Sequence, residues 1–361
     1  MNNRTYLSAH KIYSGKRWYE DSTLVIENKI VTAIIPTKSL TNQPITIYPY
    51  IIPALIDLQI YGAGGQLLSM HPNKEAIQLL YDYCTQGGAH WFQPTVATNS
   101  NKIIFDCVDA VRSYQASGGK GCIGLHVEGP WINNKKRGAH LSEFIHVPSI
   151  KEVKELLDYG KGITTMITLA PEICNKEIVE LIHSYGVVVS AGHSDANYEE
   201  AMNAFDGGIR TATHLFNAMS PLQHRAPGMV GAIFNHAKVM CSIVPDGYHV
   251  DFAAIKIAKN QLGNRLFAIT DAVTNTNDGP YPHQLNGDKY EANGILSGSA
   301  LTMLKSMQNL VNHVGVELGE AINMCSVYPA QVMNNNAITA CIEPVNAAQY
   351  ICLNNELDLT K

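Results

Sequence analysis

The chain lacks several features that would have fixed its class at once. Its eight cysteines form no Cys-x-x-Cys pair, so neither a thiolate metal site nor a dithiol redox motif has its usual spacing. Cys107, Cys122, Cys241 and Cys352 lie inside apolar runs, where a thiol behaves as a small core group; all are read as reduced, in a cytosolic protein. No apolar run approaches the roughly 20 residues of a membrane-spanning helix. The opening MNNRTYLSAHKIYSGKRWYED is polar and lacks the apolar centre of an export signal. The expectation is a cytoplasmic protein with no membrane partner. Positive charge is scattered, 26 Lys and Arg against 31 Asp and Glu for a net charge of -5, and no basic patch suits nucleic acid. Two glycine-rich stretches, YGAGG at Tyr61–Gly65 and ASGGKG around Gly118–Gly121, match neither a dinucleotide fingerprint nor a P-loop. Internal repeats and low-complexity segments are also missing.

What is present is length and apolar content. The 361 residues, 46% of them hydrophobic, suffice for a barrel of about 250 residues with a smaller attachment. Apolar segments Pro53–Ile60, His90–Val96, Cys122–Glu128, Ile163–Ala170, Val187–His193, Ile209–His214, Lys238–Pro245 and Leu266–Asp271 read as eight buried parallel strands. Segments with helical spacing, such as Asn73–Gln86 with Ala76, Leu79, Leu80 and Tyr83, separate most of them. Strands alternating with helices predict an α/β fold, here a TIM-like (β/α)8 barrel spanning 53–337. Residues 1–52 read as strands and turns, with a hairpin at Glu27-Asn28-Lys29, and AAQYICLNNELDLTK ends the chain in similar style. Isolated hairpins are marginal in water, so 1–52 and 338–361 are expected to join in one small β-sandwich domain. The polar stretch after the eighth strand, NTNDGPYPHQLNGDKYEANGIL, reads as a loop or hairpin excursion near the barrel mouth.

Four of the predicted strands end in Glu128, His193, His214 and Asp271. C-terminal strand ends of such a barrel converge on one mouth. A buried carboxylate is costly unless something positive meets it. Two imidazoles and Glu128 gathered there suit a divalent metal with one position left for water. Zn²⁺ suits this set of ligands, and Fe²⁺, Mn²⁺ or Co²⁺ also fit. Bound metal would lower the pKa of that water, and Asp271, left unligated, could shuttle its proton. Taken alone, each residue has a plainer role: a core histidine, or an acid capping a turn.

The segments HVEGPW with KRGAH, AGHSDANYEEA, THLFNAMSPLQHRAPG, PDGYHV, ITDAV and GILSGSALTM occur in this order across most of the predicted barrel. In this ordered set the chain resembles the N-acetylglucosamine-6-phosphate deacetylase family of the amidohydrolase superfamily. The resemblance implies that Glu128, His193 and His214 hold the metal and that Asp271 is the general base and then acid. It further implies that His140 and His249 contact the substrate, a phosphorylated N-acetyl amino sugar. Asn217, Ala218 and Arg225 would recognise the sugar or its phosphate, with Arg225 reaching the neighbouring site of a homodimer. His224 and His236 are left as ordinary surface or loop residues. The superfamily's opening H-x-H pair is replaced by Gln59 and Tyr61, and TLAPE stands where a bridging lysine is used elsewhere. One metal per subunit is therefore expected. Alternatives are the N-acetylgalactosamine-6-phosphate substrate and a non-catalytic sugar-phosphate sensor on the same scaffold; the missing H-x-H and lysine speak against cyclic-amide opening.

Overall fold

The computed structural model describes residues 4–40, 46–277, 279–292, 294–344, 346–347 and 349–360. Eight parallel strands, Leu55–Ile60, Ala89–Ala97, Leu125–Glu128, Thr164–Leu169, Val188–Ala191, Thr211–Ala212, Met240–Ile243 and Leu266–Ala268, pair in chain order. The first and eighth then close the ring: the Asp271 N–H donates to the Gln59 carbonyl at 3.0 Å and the Tyr61 N–H to the Ala272 carbonyl at 2.9 Å. Both faces of the sheet are covered, as parallel strands require; every residue of Leu55–Ile60 is buried.

The surrounding helices follow from apolar periodicity and capping. Lys74–Gln86 buries Ala76, Ile77, Leu80 and Cys84, and the Asn73 side chain accepts from the Ala76 N–H. Tyr198–Asp206 begins with a reciprocal cap between Asn197 and Glu200. Such caps satisfy N–H groups that no helical carbonyl reaches. No helix among the described residues is long and apolar enough to cross a membrane.

The two ends of the chain meet. Strands Arg4–Tyr13, Trp18–Glu27, Ile30–Pro36, Ile47–Pro53 and Tyr350–Leu353 form one five-stranded sheet, the last pairing antiparallel with Ile47–Pro53. Ala9, Ile12, Leu24, Val31 and Ile51 pack with Ile342 into a second small core. The expected hairpin turns at Asn28 and Lys29, whose φ values of 52° and 67° give the mirror-image turn that matches strand twist. The fold is thus the TIM-like barrel with a small β domain built from both termini.

Two local features add to the sequence expectation. Helix Gly228–Asn235 follows Pro227 in a stretch to which sequence reading assigned no element. His236, read as an ordinary surface or loop residue, lies in the loop that follows this helix and is buried there: its Nδ1 accepts from the N–H groups of Lys238 and Val239.

Candidate active site

Glu128 is the last residue of its strand. Gly129 follows at φ 78°, and a Cβ there would stand 2.1 Å from Thr98 Oγ1, so only glycine can make this turn. His193, His214 and Asp271 lie just beyond their strands with φ of 48°, 36° and 54°. Left-handed backbone disfavours L-residues, though Asp and His tolerate it better than most. Each such position costs on the order of 1–3 kcal/mol and persists only when its surroundings enforce it. The Ser242 hydroxyl, accepting the His214 N–H at 2.8 Å, is one such restraint.

These ends bring Glu128, His193 and His214 together. Glu128 Oε1 lies 3.3 Å from His193 Nε2 and 3.2 Å from His214 Nε2, and the two Nε2 atoms are 3.0 Å apart. His193 Nδ1 faces the Lys136 carbonyl at 2.9 Å. A carbonyl only accepts, so Nδ1 carries the proton and Nε2 presents its lone pair to the cluster. Burial, with the His140 charge adding, lowers the His193 pKa to about 4, so the ring is neutral. A bare imidazole nitrogen facing a carboxylate repels it unless a cation lies between. Burial alone would raise the Glu128 carboxyl, but positive charge at the His193 position and hydrogen bonds from the surrounding imidazoles outweigh it and hold the group well below the usual range; with the His193 ring neutral, a cation is what would supply that charge. The donor set fits a divalent cation.

His140 joins the same cluster: it, Glu128 and His193 offer donor atoms within 4.8 Å of one another. Distance alone would make it a ligand, but hydrogen bonding argues otherwise. Its Nδ1 accepts from the Thr98 N–H at 3.3 Å and hydroxyl at 2.7 Å. An N–H cannot accept, so the His140 proton sits on Nε2, which donates toward Glu128 Oε2 at 3.3 Å.

Asp271 stands on the other side of Glu128, its side chain 14% exposed. Its Oδ1 accepts from Gln59 Nε2 at 2.8 Å, while Oδ2 lies 3.6 Å from His249 Nε2. Burial pushes its carboxyl up, against the pull of His214 and His249. His249 Nδ1 faces Asp246 Oδ2 at 2.5 Å, and Asp246 Oδ1 accepts the N–H groups of Tyr248 and His249. Tyr61 donates to Glu128 Oε2 and accepts from Gln59 Nε2 at 2.7 Å. Burial and the Glu128 and Asp271 charges push its phenol well above the ordinary value, so it keeps its proton.

One cavity covers this cluster, lined also by Asn217, Ala218, Leu67, Tyr281, His283 and Ser297. All site residues expected from sequence line it except Arg225, which is exposed and borders a separate depression with Asp195 and Tyr198. Sequence reading missed Asp246, though it lies three residues before His249 in PDGYHV. It also missed Tyr281 and His283, which the excursion carries to the cavity wall. The Tyr281 hydroxyl donates to the Thr98 carbonyl at 2.6 Å, and His283 Nδ1 lies 2.8 Å from Ser297 Oγ. Glu172, in TLAPE, accepts from Asn133, the Ser194 hydroxyl and the Asp195 N–H, bracing the loop after His193.

Comparison with known proteins places this geometry. The model of the amidohydrolase family matches residues 50–351. N-acetylglucosamine-6-phosphate deacetylase of Haemophilus influenzae is 31% identical over 336 residues, covering 89% of this chain and 88% of its own. N-acetylgalactosamine-6-phosphate deacetylase of Escherichia coli O157:H7 is 28% identical over 363 residues, covering 97% and 95%. The crystal structure of N-acetylglucosamine-6-phosphate deacetylase from Pasteurella multocida superposes with a TM-score of 0.91 at 29% identity, covering 98% of this chain and 97% of that one.

Proposed function

The chain belongs to the amidohydrolase family, and we propose that it hydrolyses N-acetylglucosamine-6-phosphate to glucosamine-6-phosphate and acetate. The observation that carries this reading is the meeting of Glu128, His193 and His214 beside the free Oδ2 of Asp271, in one cavity at the strand ends. Glu128, His193 and His214 hold one divalent cation per subunit, Zn²⁺ being the best match to two imidazoles and a carboxylate. Such a cation supplies Lewis acidity, lowering the pKa of water and polarising a carbonyl.

The remaining steps belong to side chains. Asp271 is fixed at Oδ1 by Gln59, which leaves Oδ2 to take the proton of the attacking water. The same oxygen returns that proton to the amide nitrogen as its bond to the acetyl carbon breaks, because an amine anion is a poor leaving group. His249, paired with Asp246 through Nδ1, donates from Nε2 to the developing oxyanion when protonated. His140 holds an Nε2 proton toward the cavity for the substrate. Asn217 and Ala218 line the sugar's side of the cavity. Arg225 is exposed and borders a separate depression rather than its own cavity, which fits a guanidinium that completes the phosphate site of a second subunit. The eight cysteines are free and five of them buried, as suits a reducing cytoplasm.

Acetate release is the test. Purified enzyme is expected to free acetate from N-acetylglucosamine-6-phosphate, to lose the activity on chelation and to regain it with Zn²⁺. Bound metal without acetate from any amino-sugar phosphate would instead favour a sensor. The similarity to the E. coli O157:H7 protein makes the galacto epimer the second substrate to assay; a higher kcat/KM on it would reassign the substrate and keep the chemistry.

A further inference from the structure

The seam that closes the barrel gives Tyr61 no part so far in metal binding or proton transfer, although it touches a proposed metal ligand. Gln59 and Tyr61 share one face of the first strand's end, two residues apart. Backbone hydrogen bonds from Asp271 to Gln59 and from Tyr61 to Ala272 fix both against the eighth strand. Gln59 Nε2 lies 2.7 Å from the Tyr61 hydroxyl, 2.8 Å from Asp271 Oδ1 and 3.1 Å from Glu128 Oε1. Carboxylates only accept, so the amide presents its NH₂ to them. With two protons for three acceptors, one N–H is shared between the Tyr61 oxygen and Glu128 Oε1, and the Tyr61 proton goes to Glu128 Oε2.

The two oxygens of Glu128 are thereby divided. Oε1 faces His193 and His214, whereas Oε2 is taken by Tyr61 and His140. We propose that Tyr61 is a positioning residue: its hydroxyl holds one oxygen of Glu128 off the cation, and with Gln59 it forms an uncharged bridge from Glu128 to Asp271 that fills the place of a second cation. A second ion would meet the N–H groups of Gln59 and a protonated phenol oxygen that already accepts from them, in place of two free imidazole lone pairs. The bridge also ties the carboxylate that grips the cation to the one that moves the proton, so their separation is set by hydrogen bonds within one strand end.

This inference rests on the reading of Glu128, His193 and His214 as ligands, and its test separates the two. Metal-stripped protein is titrated with Zn²⁺ against a chromophoric chelator, with metal content measured independently. Wild type is expected to take one equivalent; none would sink the ligand assignment itself. Tyr61→Phe keeps the ring and is expected to bind one equivalent with about 10- to 100-fold weaker affinity, the usual effect of losing a group that orients a ligand. Its kcat should fall more than its KM changes. Wild-type zinc affinity in Tyr61→Phe would overturn the positioning role. Gln59→His combined with Tyr61→His is expected to take up a second equivalent of Zn²⁺; one equivalent in that variant would overturn the filling role. Melting of the metal-free proteins separates either result from a folding defect.

Discussion

His193 and His140 face the same carboxylate, and the group behind each ring decides what it can offer. A carbonyl behind His193 puts the proton on Nδ1 and frees Nε2 as a ligand. A backbone N–H behind His140 does the reverse and turns Nε2 into a donor. Sequence reading cannot see this, because the partners, Lys136 and Thr98, are main-chain groups whose identity says nothing about their place. Asp271 is a parallel case: the amide of Gln59 occupies one oxygen, which leaves the other for the proposed proton exchange. Asp271→Asn keeps size and shape but removes that exchange. Its kcat is expected to fall by about 10²–10⁴-fold, the range for loss of a general acid–base group, with zinc content unchanged by elemental analysis. Activity within a few fold of wild type would assign the proton to another group.

At the scale of elements, the site is a set of strand ends that leave the sheet early. The predicted strands ran on to His193, His214 and Asp271, whereas the paired strands stop at Ala191, Ala212 and Ala268. All eight strands were legible, because a buried parallel strand is a short apolar run, and so were the polar residues that follow them. The left-handed backbone at those residues was not legible, since tertiary hydrogen bonds enforce it against local preference. Helix Gly228–Asn235 escaped for a related reason: it starts at a glycine after Pro227 and is held by burial of Met229, Val230, Ala232 and Ile233 rather than by propensity. The excursion after the eighth strand, read as a loop or hairpin, folds as successive hairpins, with Gln284–Asn286, Lys289–Ala292 and Ile295–Ser299 in one three-stranded antiparallel sheet. What its polar sequence hid is that Tyr281 anchors it. Tyr281→Phe leaves the Thr98 carbonyl without that donor inside the fold, and is expected to cost about 1–3 kcal/mol, read as a lower denaturant midpoint. An unchanged midpoint would mean that water replaces the hydroxyl there.

For the molecule as a whole, the barrel and the small β domain serve different ends. Pairing of the Tyr350–Leu353 strand with Ile47–Pro53 ties the end of the chain to the strand that leads into the barrel, far in sequence from the residues that carry the chemistry. The cavity gathers all of those residues except Arg225, which lies on the surface of its own chain. The proposed two-fold dimer, with Arg225 of one subunit reaching the mouth of the other, has a quantitative consequence. Arg225→Ala and Asp271→Asn each disable one of the two contributions a site needs. Mixed as dissociated subunits and reassembled, they form hybrid dimers in which one site has its own Asp271 and the partner's intact Arg225. At random pairing half the dimers are hybrids with one complete site each, so activity at low substrate should recover to about a quarter of wild type, as symmetry dictates. Neither variant alone should approach that level, and Arg225→Ala should raise KM for the phosphorylated sugar far more than for its unphosphorylated analogue. If mixing restores nothing while size measurements show hybrids have formed, Arg225 does not act across a subunit boundary, and phosphate recognition returns to groups at the mouth of a single chain.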